Sequence, residues 1–271
     1  MFAKPFFWLF LILSISSLSF SINVVSPKTA DVKAGDIIDL GTIGPGQTVS
    51  ILIDRKATEG GLYGKGGLYD LAIAEELPRG WTSVESKLYS DPLQVTITAD
   101  PDAPEGNYTA AVTVIDENNG EKLGNITFMV KVRITYDIMD VDVFPTYRGV
   151  GPGQPARFTI KITNKGSTGD VFQVSTTGMQ RWDFTKQFYV PAQSTKTYYY
   201  EIVGNEEENY QAVINIQSVA SRNIAAERNV TLSIRSDLIG DLKATNNGVV
   251  VFPLFEAPIY AIAGLLSNLF G

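Results

Sequence analysis

The chain has 271 residues, a length that suits two domains of ordinary size, and 44% of them are hydrophobic. The formal net charge is −7 and no basic stripe is visible, which argues against nucleic acid as a partner. There is no cysteine and no histidine, which excludes thiol catalysis, disulfides, thiolate metal sites and the commonest general base. We therefore predict a protein that is not an enzyme and carries no cofactor, apart from the calcium considered below.

The chain begins with the layout of a secretory signal peptide. Lys4 is a minimal basic region, Phe6–Ile15 is an apolar core, and small serines follow. The alternative is an uncleaved N-terminal anchor, for which this apolar stretch is short. We predict that residues 1–21 are a signal peptide and that the protein is exported, to the cell surface or the extracellular medium.

After the signal peptide, short alternating or apolar segments are separated by turns, with no long helical period between them. The first half is predicted to contain the strands TVSILIDR, YDLAIAEE, LQVTITAD, YTAAVTVID and ITFMVKVRI. The second half is predicted to contain RFTIKITN, DVFQVSTT, KTYYYEIV, YQAVINIQSV and NVTLSIRS. This spacing of strands indicates β-sandwiches.

An internal repeat shows that there are two such domains. Three anchors recur in the same order at offsets of 107, 101 and 102 residues, and they are GPGQ (Gly44–Gln47, Gly151–Gln154), tryptophan (Trp81, Trp182) and Asn-Tyr (Asn107-Tyr108, Asn209-Tyr210). Two copies are too few for a solenoid, so we predict tandem domains over residues 22–134 and 135–236.

Each anchor has a structural interpretation. GPGQ supplies a tight turn before a strand. Trp81 and Trp182 are predicted to cover an open end of each sandwich, where a large ring buries much area. Tyr108 and Tyr210 are predicted to bond upstream backbone as tyrosine corners.

The segments ITNKGSTGDVFQVS, LPRGWTS and TADPDAPEGNYTAAVTV resemble the NEW3-type immunoglobulin-like module, whose relatives include CARDB-like repeats. The resemblance covers roughly residues 23–235. It implies an all-β fold of two immunoglobulin-like sandwiches and a location on the surface of the cell. It brings no catalytic residues.

The predicted link between the domains, Thr135–Asp142, is acidic. Asp137, Asp140 and Asp142 lie within six residues of one another, and the last two would share one face of a strand. Hard cations such as calcium take carboxylate oxygens, so a calcium-stiffened junction is one hypothesis. Solvated carboxylates are the other.

The glycine-rich stretch EGGLYGKGGLYD superficially resembles a phosphate loop, but Lys65 is followed by Gly66 and no helix follows to receive a phosphate. A hairpin loop is the better interpretation. Because loops on rigid sandwiches often carry recognition, Tyr63, Lys65 and Tyr69 are predicted as a contact surface.

Three sequons predict glycosylation of an exported protein. They begin at Asn107, Asn125 and Asn229, and each requires exposure of the asparagine.

The C-terminal segment, residues 237–271, is predicted to be a linker followed by a hydrophobic attachment segment. ATNNG is linker-like, VVVFPLF is extended, and a short helix would begin near Pro258. The interpretation as a bilayer-spanning helix is less favoured, because prolines interrupt the segment and Glu256 would lie within the membrane. Packing into the core of the soluble domains is a further alternative. One face of this helix is predicted to form an apolar stripe that contacts a membrane surface or a partner. Its residues are Ile259, Ile262, Leu266, Leu269 and Phe270.

These features together predict a non-catalytic structural or adhesion protein attached to the envelope by its C-terminal segment. Its partners would be an envelope or surface protein, or a glycan. The alternative is a carbohydrate-binding module in which exposed aromatic rings stack on sugars. The rings considered for that role are Trp81, Trp182 and Tyr198–Tyr200.

Overall fold

The computed structural model describes residues 21–179 and 184–236, and this part of the chain consists of strands and turns without a helix. The strands of the first half are β1 (Ser21–Ser26), β2 (Ala30–Lys33), β3 (Ile37–Ile43), β4 (Thr48–Ile53), β5 (Lys56–Ala57), β6 (Gly67–Leu68), β7 (Leu71–Glu75), β8 (Thr82–Val84), β9 (Leu93–Thr98), β10 (Gly106–Ile115) and β11 (Ile126–Ile134). Those of the second half are β12 (Met139–Phe144), β13 (Tyr147–Val150), β14 (Pro155–Asn164), β15 (Asp170–Thr177), β16 (Lys186–Val190), β17 (Ser194–Val203), β18 (Asn209–Ser218) and β19 (Ala225–Ile234).

Within the described residues, no helix is long and apolar enough to cross a membrane. Residues 1–20 of the predicted signal peptide and the whole predicted attachment segment lie outside the described part of the chain, and so does Trp182.

The first sandwich consists of two sheets with the strand orders β2-β1-β4-β9-β8 and β3-β11-β10-β7, with a small β5-β6 hairpin beside them. Strands such as β4 and β9 alternate buried with exposed or half-buried residues, because successive side chains point to opposite faces of a sheet. The inward faces of both sheets form one continuous hydrophobic core that includes Phe128, Ile51 and Val95.

The second sandwich repeats this plan with the strand orders β12-β14-β17 and β13-β19-β18-β15-β16. It has a hydrophobic core of its own, with Phe158, Phe172 and Tyr200 among its largest fully buried side chains. The prediction of an all-β fold with two tandem immunoglobulin-like sandwiches is confirmed.

The two sandwiches share one strand pairing, which shows how the two copies of the repeat correspond in the structure. The strand that leads into each GPGQ turn runs parallel to the last strand of its own sandwich, so β3 pairs with β11 and β13 pairs with β19. Ile43 is opposite Ile134 in the first sandwich, and Val150 is opposite Ile234 in the second. These pairings give a residue-by-residue equivalence between the copies at their C-terminal strands.

The structure differs from the sequence prediction at the link between the domains. β12 begins at Met139 and pairs antiparallel with β14, placing Asp140 opposite Thr163 and Asp142 opposite Lys161. The connection is therefore shorter than Thr135–Asp142, because its second half is the first strand of the next sandwich.

The tyrosine and tryptophan anchors of the first copy lie together. The Tyr108 hydroxyl donates a hydrogen bond of 2.9 Å to the carbonyl of Pro104, four residues upstream, as predicted for a tyrosine corner. The Trp81 ring is 8% exposed and lies 5.3 Å from the Tyr108 ring, measured between ring centroids. In the second copy Tyr210 is also buried, and burial, with the nearby Glu208 and Glu206 carboxylates, raises its pKa.

Candidate functional site: the junction between the two sandwiches

The two GPGQ turns are closed in the same way. The backbone N–H of Gly44 donates to Oε1 of Gln47 at 2.8 Å, and the N–H of Gly151 donates to Oε1 of Gln154 at 3.3 Å. The third residue of each turn is in the left-handed region, at φ +69° for Gly46 and +71° for Gly153, which favours glycine. The glutamine is thus part of the turn rather than the start of the following strand. We call Gly44–Gln47 the first turn and Gly151–Gln154 the second turn.

The first turn lies against the second sandwich. Gln47 is 2% exposed, and its Nε2 donates to Oδ2 of Asp170 at 2.8 Å. Asp170, 6% exposed, begins β15, and its other carboxylate oxygen accepts from the N–H of Val171 at 2.7 Å. The Thr168 hydroxyl also donates to Oε1 of Gln47 at 3.3 Å. One buried amide therefore closes its own turn and bonds to the neighbouring domain.

Backbone groups of both sandwiches also meet directly. The N–H of Ser167 donates to the carbonyl of Thr42 at 2.7 Å, and the Ser167 hydroxyl accepts from the N–H of Thr42 at 2.9 Å. On the other side of the first turn, the Ser221 hydroxyl donates to the carbonyl of Pro101 at 3.2 Å. Bonds on two sides of the turn limit rotation of one sandwich against the other.

The first turn lies so close to the second sandwich that its two glycines leave no room for a side chain. A Cβ atom on Gly46 would lie 2.0 Å from the carbonyl oxygen of Ala220 in the second sandwich. A Cβ atom on Gly44 would lie 2.3 Å from Cδ1 of Ile224 and 2.6 Å from Cδ1 of Ile138. The glycines of the first turn are thus needed for contact between domains as well as for turn geometry.

The loop that receives Gln47 is organised by Asn164, in the TNKGS segment. Asn164 is fully buried, and its Nδ2 donates to the carbonyls of Thr168 and Val190, at 2.8 and 3.2 Å. Its Oδ1 accepts from the N–H of Gly166 at 2.8 Å. This explains the asparagine of that motif, to which the sequence analysis gave no role of its own.

The chain leaving the first sandwich is fixed by Glu105. Oε1 of Glu105 accepts from the Thr135 hydroxyl at 2.6 Å and from the N–H of Tyr136 at 2.8 Å. These two hydrogen bonds, the side-chain bond first, lower the pKa of Glu105. Sequence reasoning did not single out this residue.

The acidic residues predicted as calcium ligands are placed beside a lysine. Nζ of Lys165 bonds to Oδ1 of Asp137 at 2.5 Å and to Oδ1 of Asp140 at 3.3 Å. The bond to Asp137 is the main cause that raises the pKa of Lys165. Asp142 is exposed on β12, and the described residues contain no cluster of three metal-ligating side chains. An ammonium group thus occupies the position considered for calcium between Asp137 and Asp140.

The predicted contact loop requires a correction. Tyr63 is 81% exposed and Lys65 is exposed, but Tyr69 is fully buried in the first core and cannot contact a partner. Arg55 bonds to both backbone polar groups of Tyr69. The carbonyl of Arg55 accepts from the N–H of Tyr69 at 2.8 Å. Nε of Arg55 donates back to the Tyr69 carbonyl at 2.9 Å. Loop residues up to Leu68 remain available for contact.

We expect Tyr69→Phe to protect the fold at alkaline pH. Burial, and to a smaller extent the Asp116 carboxylate, raises the pKa of Tyr69 from 10.0 to about 12, and its hydroxyl has no hydrogen-bond partner among the described residues. Between these pH values the unfolded chain ionises while the folded chain stays neutral, so stability is lost as pH rises. Urea unfolding at pH 8 and pH 11 should therefore show a smaller loss for Tyr69→Phe than for wild type.

The matched control for that comparison is Tyr63→Phe, because the exposed Tyr63 ring is solvated in the folded and the unfolded chain alike. It should lose as much stability as wild type. An equal loss in Tyr69→Phe and wild type would show that the buried phenol does not contribute to alkaline unfolding.

The remaining predicted surface residues are distributed over both sandwiches. The sequon asparagines Asn107, Asn125 and Asn229 are all exposed, which meets the structural requirement for glycosylation. The stripe Ile259, Ile262, Leu266, Leu269 and Phe270 lies outside the described residues.

Of the described aromatic residues considered for sugar binding, two are buried. Trp81 is buried, and Tyr200 is 1% exposed, with its hydroxyl donating to the carbonyl of Phe184 at 2.7 Å. Tyr198 is half-buried and stacked on Phe188, and its pKa is raised by burial. Tyr199 is exposed. The buried rings of Trp81 and Tyr200 cannot form a platform for a sugar, whereas Tyr199 is exposed and Trp182 lies outside the described residues.

Solved structures that are similar to this chain include the following three. The fibronectin(III)-like modules of CbhA from Clostridium thermocellum are 12% identical, covering 79% of this chain and 94% of their own, with a TM-score of 0.28. A chimeric titin Z1Z2 carrying a decorin peptide is 9% identical over 81% of this chain and 99% of its own, with a TM-score of 0.35. A CARDB domain from Pyrococcus furiosus, in complex with di-metal ions, is 16% identical over 36% of this chain and 91% of its own, with a TM-score of 0.26.

No family model and no curated protein matches the chain. The resemblance to the NEW3-type module therefore stays a prediction. The strand orders and the two cores define the fold of this part of the chain as two tandem immunoglobulin-like sandwiches.

Proposed function

We propose that this is an exported, non-catalytic protein of the cell surface that presents two immunoglobulin-like domains as one rigid unit, attached to the envelope by its C-terminal segment. The mechanism is mechanical. A fixed pair of sandwiches holds a contact surface at a constant distance and orientation from the attachment point.

The observation that carries this proposal is the buried junction. A flexible string of domains would need no buried hydrogen bonds between neighbours, because ordinary linkers are exposed and few contacts cross them. Here the Gln47 side chain is buried between the sandwiches and bonds to Asp170, and two hydrogen bonds join Thr42 to the backbone and the hydroxyl of Ser167 beside it. Such contacts are useful where relative orientation matters, as in a spacer or an adhesive ectodomain.

Export and attachment are supported by the sequence. The N-terminal signal layout predicts export, and the apolar segment after the linker predicts attachment through a membrane surface or an envelope partner. The exposed sequon asparagines and the exposed loop residues Tyr63 and Lys65 are compatible with an extracellular surface.

Membrane fractionation tests the proposal. The full-length protein and a variant ending at Asn247 are expressed in parallel, and the membranes are washed with alkaline carbonate. We expect the full-length protein alone to stay in the membrane pellet, because only it keeps the apolar stripe. If both forms are released to the supernatant, attachment by the C-terminal segment is wrong. If both remain in the pellet, another part of the chain is the anchor.

A further inference from the structure

Two exposed aromatic rings lie in one row on the outer face of the three-stranded sheet of the second sandwich. This sheet has the order β12-β14-β17, and its inward residues, such as Phe158 and Tyr200, are buried in the core. Phe144 on β12 is opposite Thr159 on β14, and Thr159 is opposite Tyr199 on β17. Phe144 is 53% exposed and Tyr199 is 59% exposed. The two rings therefore flank one small residue on a sheet that faces the solvent.

The spacing of these two rings is set by the sheet. Neighbouring strands lie about 4.8 Å apart, so two strand spacings place the Cα atoms of Phe144 and Tyr199 about 10 Å apart. The short side chain of Thr159 between them leaves room for a ligand that contacts both rings. In an extended β-1,4-linked polysaccharide, alternate sugar units present the same face at a comparable distance. The row thus fits a flat polymer with this repeat.

The ring of Tyr199 is held by its neighbours on the same face. The guanidinium carbon of Arg157 lies 5.4 Å from the centroid of the Tyr199 ring. Nε and Nη2 of Arg157 both lie 2.9 Å from Oε1 of Glu201. These contacts restrict the ring before a ligand binds, which lowers the entropic cost of binding. They also place hydrogen-bonding groups beside the ring, where the hydroxyls of a stacked sugar would lie.

The charges on this face favour an uncharged ligand, because each carboxylate that projects from it lies beside a basic group. The ion pair next to Tyr199 is one example. Asp142 is opposite Lys161 across β12 and β14. Asp140 bonds to Nζ of Lys165 at 3.3 Å. A face whose charges are paired in this way has little net charge with which to attract a charged polymer.

We propose that the outer face of the β12-β14-β17 sheet binds an uncharged, extended β-1,4-linked polysaccharide, whose sugar rings stack on Phe144 and Tyr199. The C–H groups on one face of a sugar unit pack against the electron-rich face of an aromatic ring. The hydroxyls of the sugar then bond to Arg157 and Glu201. An extended strand of a partner protein fits this face less well, because it would need unpaired backbone groups and β14 is paired on both sides.

This inference deepens the function proposed above and rests on it in one respect. The polysaccharide would be the target that the rigid pair of sandwiches holds at a fixed distance from the attachment point. The two proposals fail separately. Loss of polysaccharide binding leaves the membrane fractionation result unchanged, and release of the protein from membranes leaves the binding of a polysaccharide unchanged.

Sedimentation with insoluble polysaccharides tests the inference. The full chain, kept in a detergent whose headgroup is not a sugar, is mixed with cellulose, chitin or β-1,4-mannan, and the bound fraction is measured against polymer concentration. We expect the wild-type protein to bind at least one of the three. Phe144→Ala and Tyr199→Ala should each bind that polymer about tenfold more weakly, because a stacking ring is lost. Tyr199→Phe should bind like wild type, because it keeps the ring.

The matched control is Tyr63→Ala, since Tyr63 is 81% exposed but lies on the first sandwich. It should bind like wild type. Because Phe144 and Tyr199 are exposed, their alanine variants should unfold at the same urea concentration as wild type, which separates loss of binding from loss of the fold.

Binding to none of the three polymers would overturn the proposal, and so would wild-type binding by Phe144→Ala or Tyr199→Ala. Stronger binding to polygalacturonate, a polyanion, than to the uncharged polymers would contradict the class of ligand. A dimer that Tyr199→Ala abolishes, without binding to any polymer, would assign this face to a second copy of the chain instead.

Discussion

Gly46→Ala is expected to weaken the junction between the two sandwiches while each keeps its own core. The new Cβ would lie 2.0 Å from the backbone carbonyl oxygen of Ala220, which cannot move aside as the end of a flexible side chain can. The left-handed φ adds a cost of about 1–2 kcal/mol for alanine, and overpacking adds about 1–3 kcal/mol. We expect a total loss of roughly 2–5 kcal/mol in the free energy of unfolding, measured by urea denaturation of the full chain.

Gly153→Ala is the matched control for this variant. Gly153 has nearly the same φ, and its nearest described neighbour to a built Cβ is 3.9 Å away. It should therefore show the conformational cost alone, about 1–2 kcal/mol. Equal losses in the two variants would mean that the approach of Gly46 to Ala220 does not contribute to stability.

Gln47→Ala is expected to cost roughly 2–4 kcal/mol, since it leaves two buried groups without partners. One is the N–H of Gly44 in the same turn, and the other is Oδ2 of Asp170 in the second sandwich. Alanine also leaves a cavity where the amide was. Urea unfolding measures the loss, and nuclear magnetic resonance relaxation of the two sandwiches should show that they tumble less as one body.

Gln94→Ala serves as the control, because Gln94 is exposed on β9 and makes one side-chain bond, to Ser50 at 3.4 Å. Surface substitutions of this kind change stability by about 0.5 kcal/mol or less. A loss of that size in Gln47→Ala would show that the buried amide does not hold the junction.

Much of the fold could be predicted from the sequence because alternation and turn residues are local signals. β11 and β15 coincide with the predicted segments ITFMVKVRI and DVFQVSTT. Strands with weaker alternation, such as β13 and β16, were not predicted. Most of β12 was assigned to the link, although Asp140 and Asp142 were expected to share one face of a strand, and Val141 between them is buried.

The junction was less accessible to sequence reasoning, since it depends on contacts between distant residues. GPGQ was correctly interpreted as a turn, but its local pattern does not show that Gln47 bonds to Asp170, 123 residues away. Tyr69 was assigned to a contact loop because glycines precede it, whereas its position just before β7 places the ring in the core. The repetition of the glutamine did not point to the junction either, because in each copy its side chain also closes its own turn.

The central claim, that the two sandwiches form one rigid unit, is tested most directly by residual dipolar couplings of the full chain in a weakly aligning medium. We predict that backbone N–H couplings from residues 22–134 and from residues 139–234 fit a single alignment tensor, with the same magnitude and orientation. Two tensors of different magnitude would show that the sandwiches reorient independently, and would contradict the account of a fixed spacer.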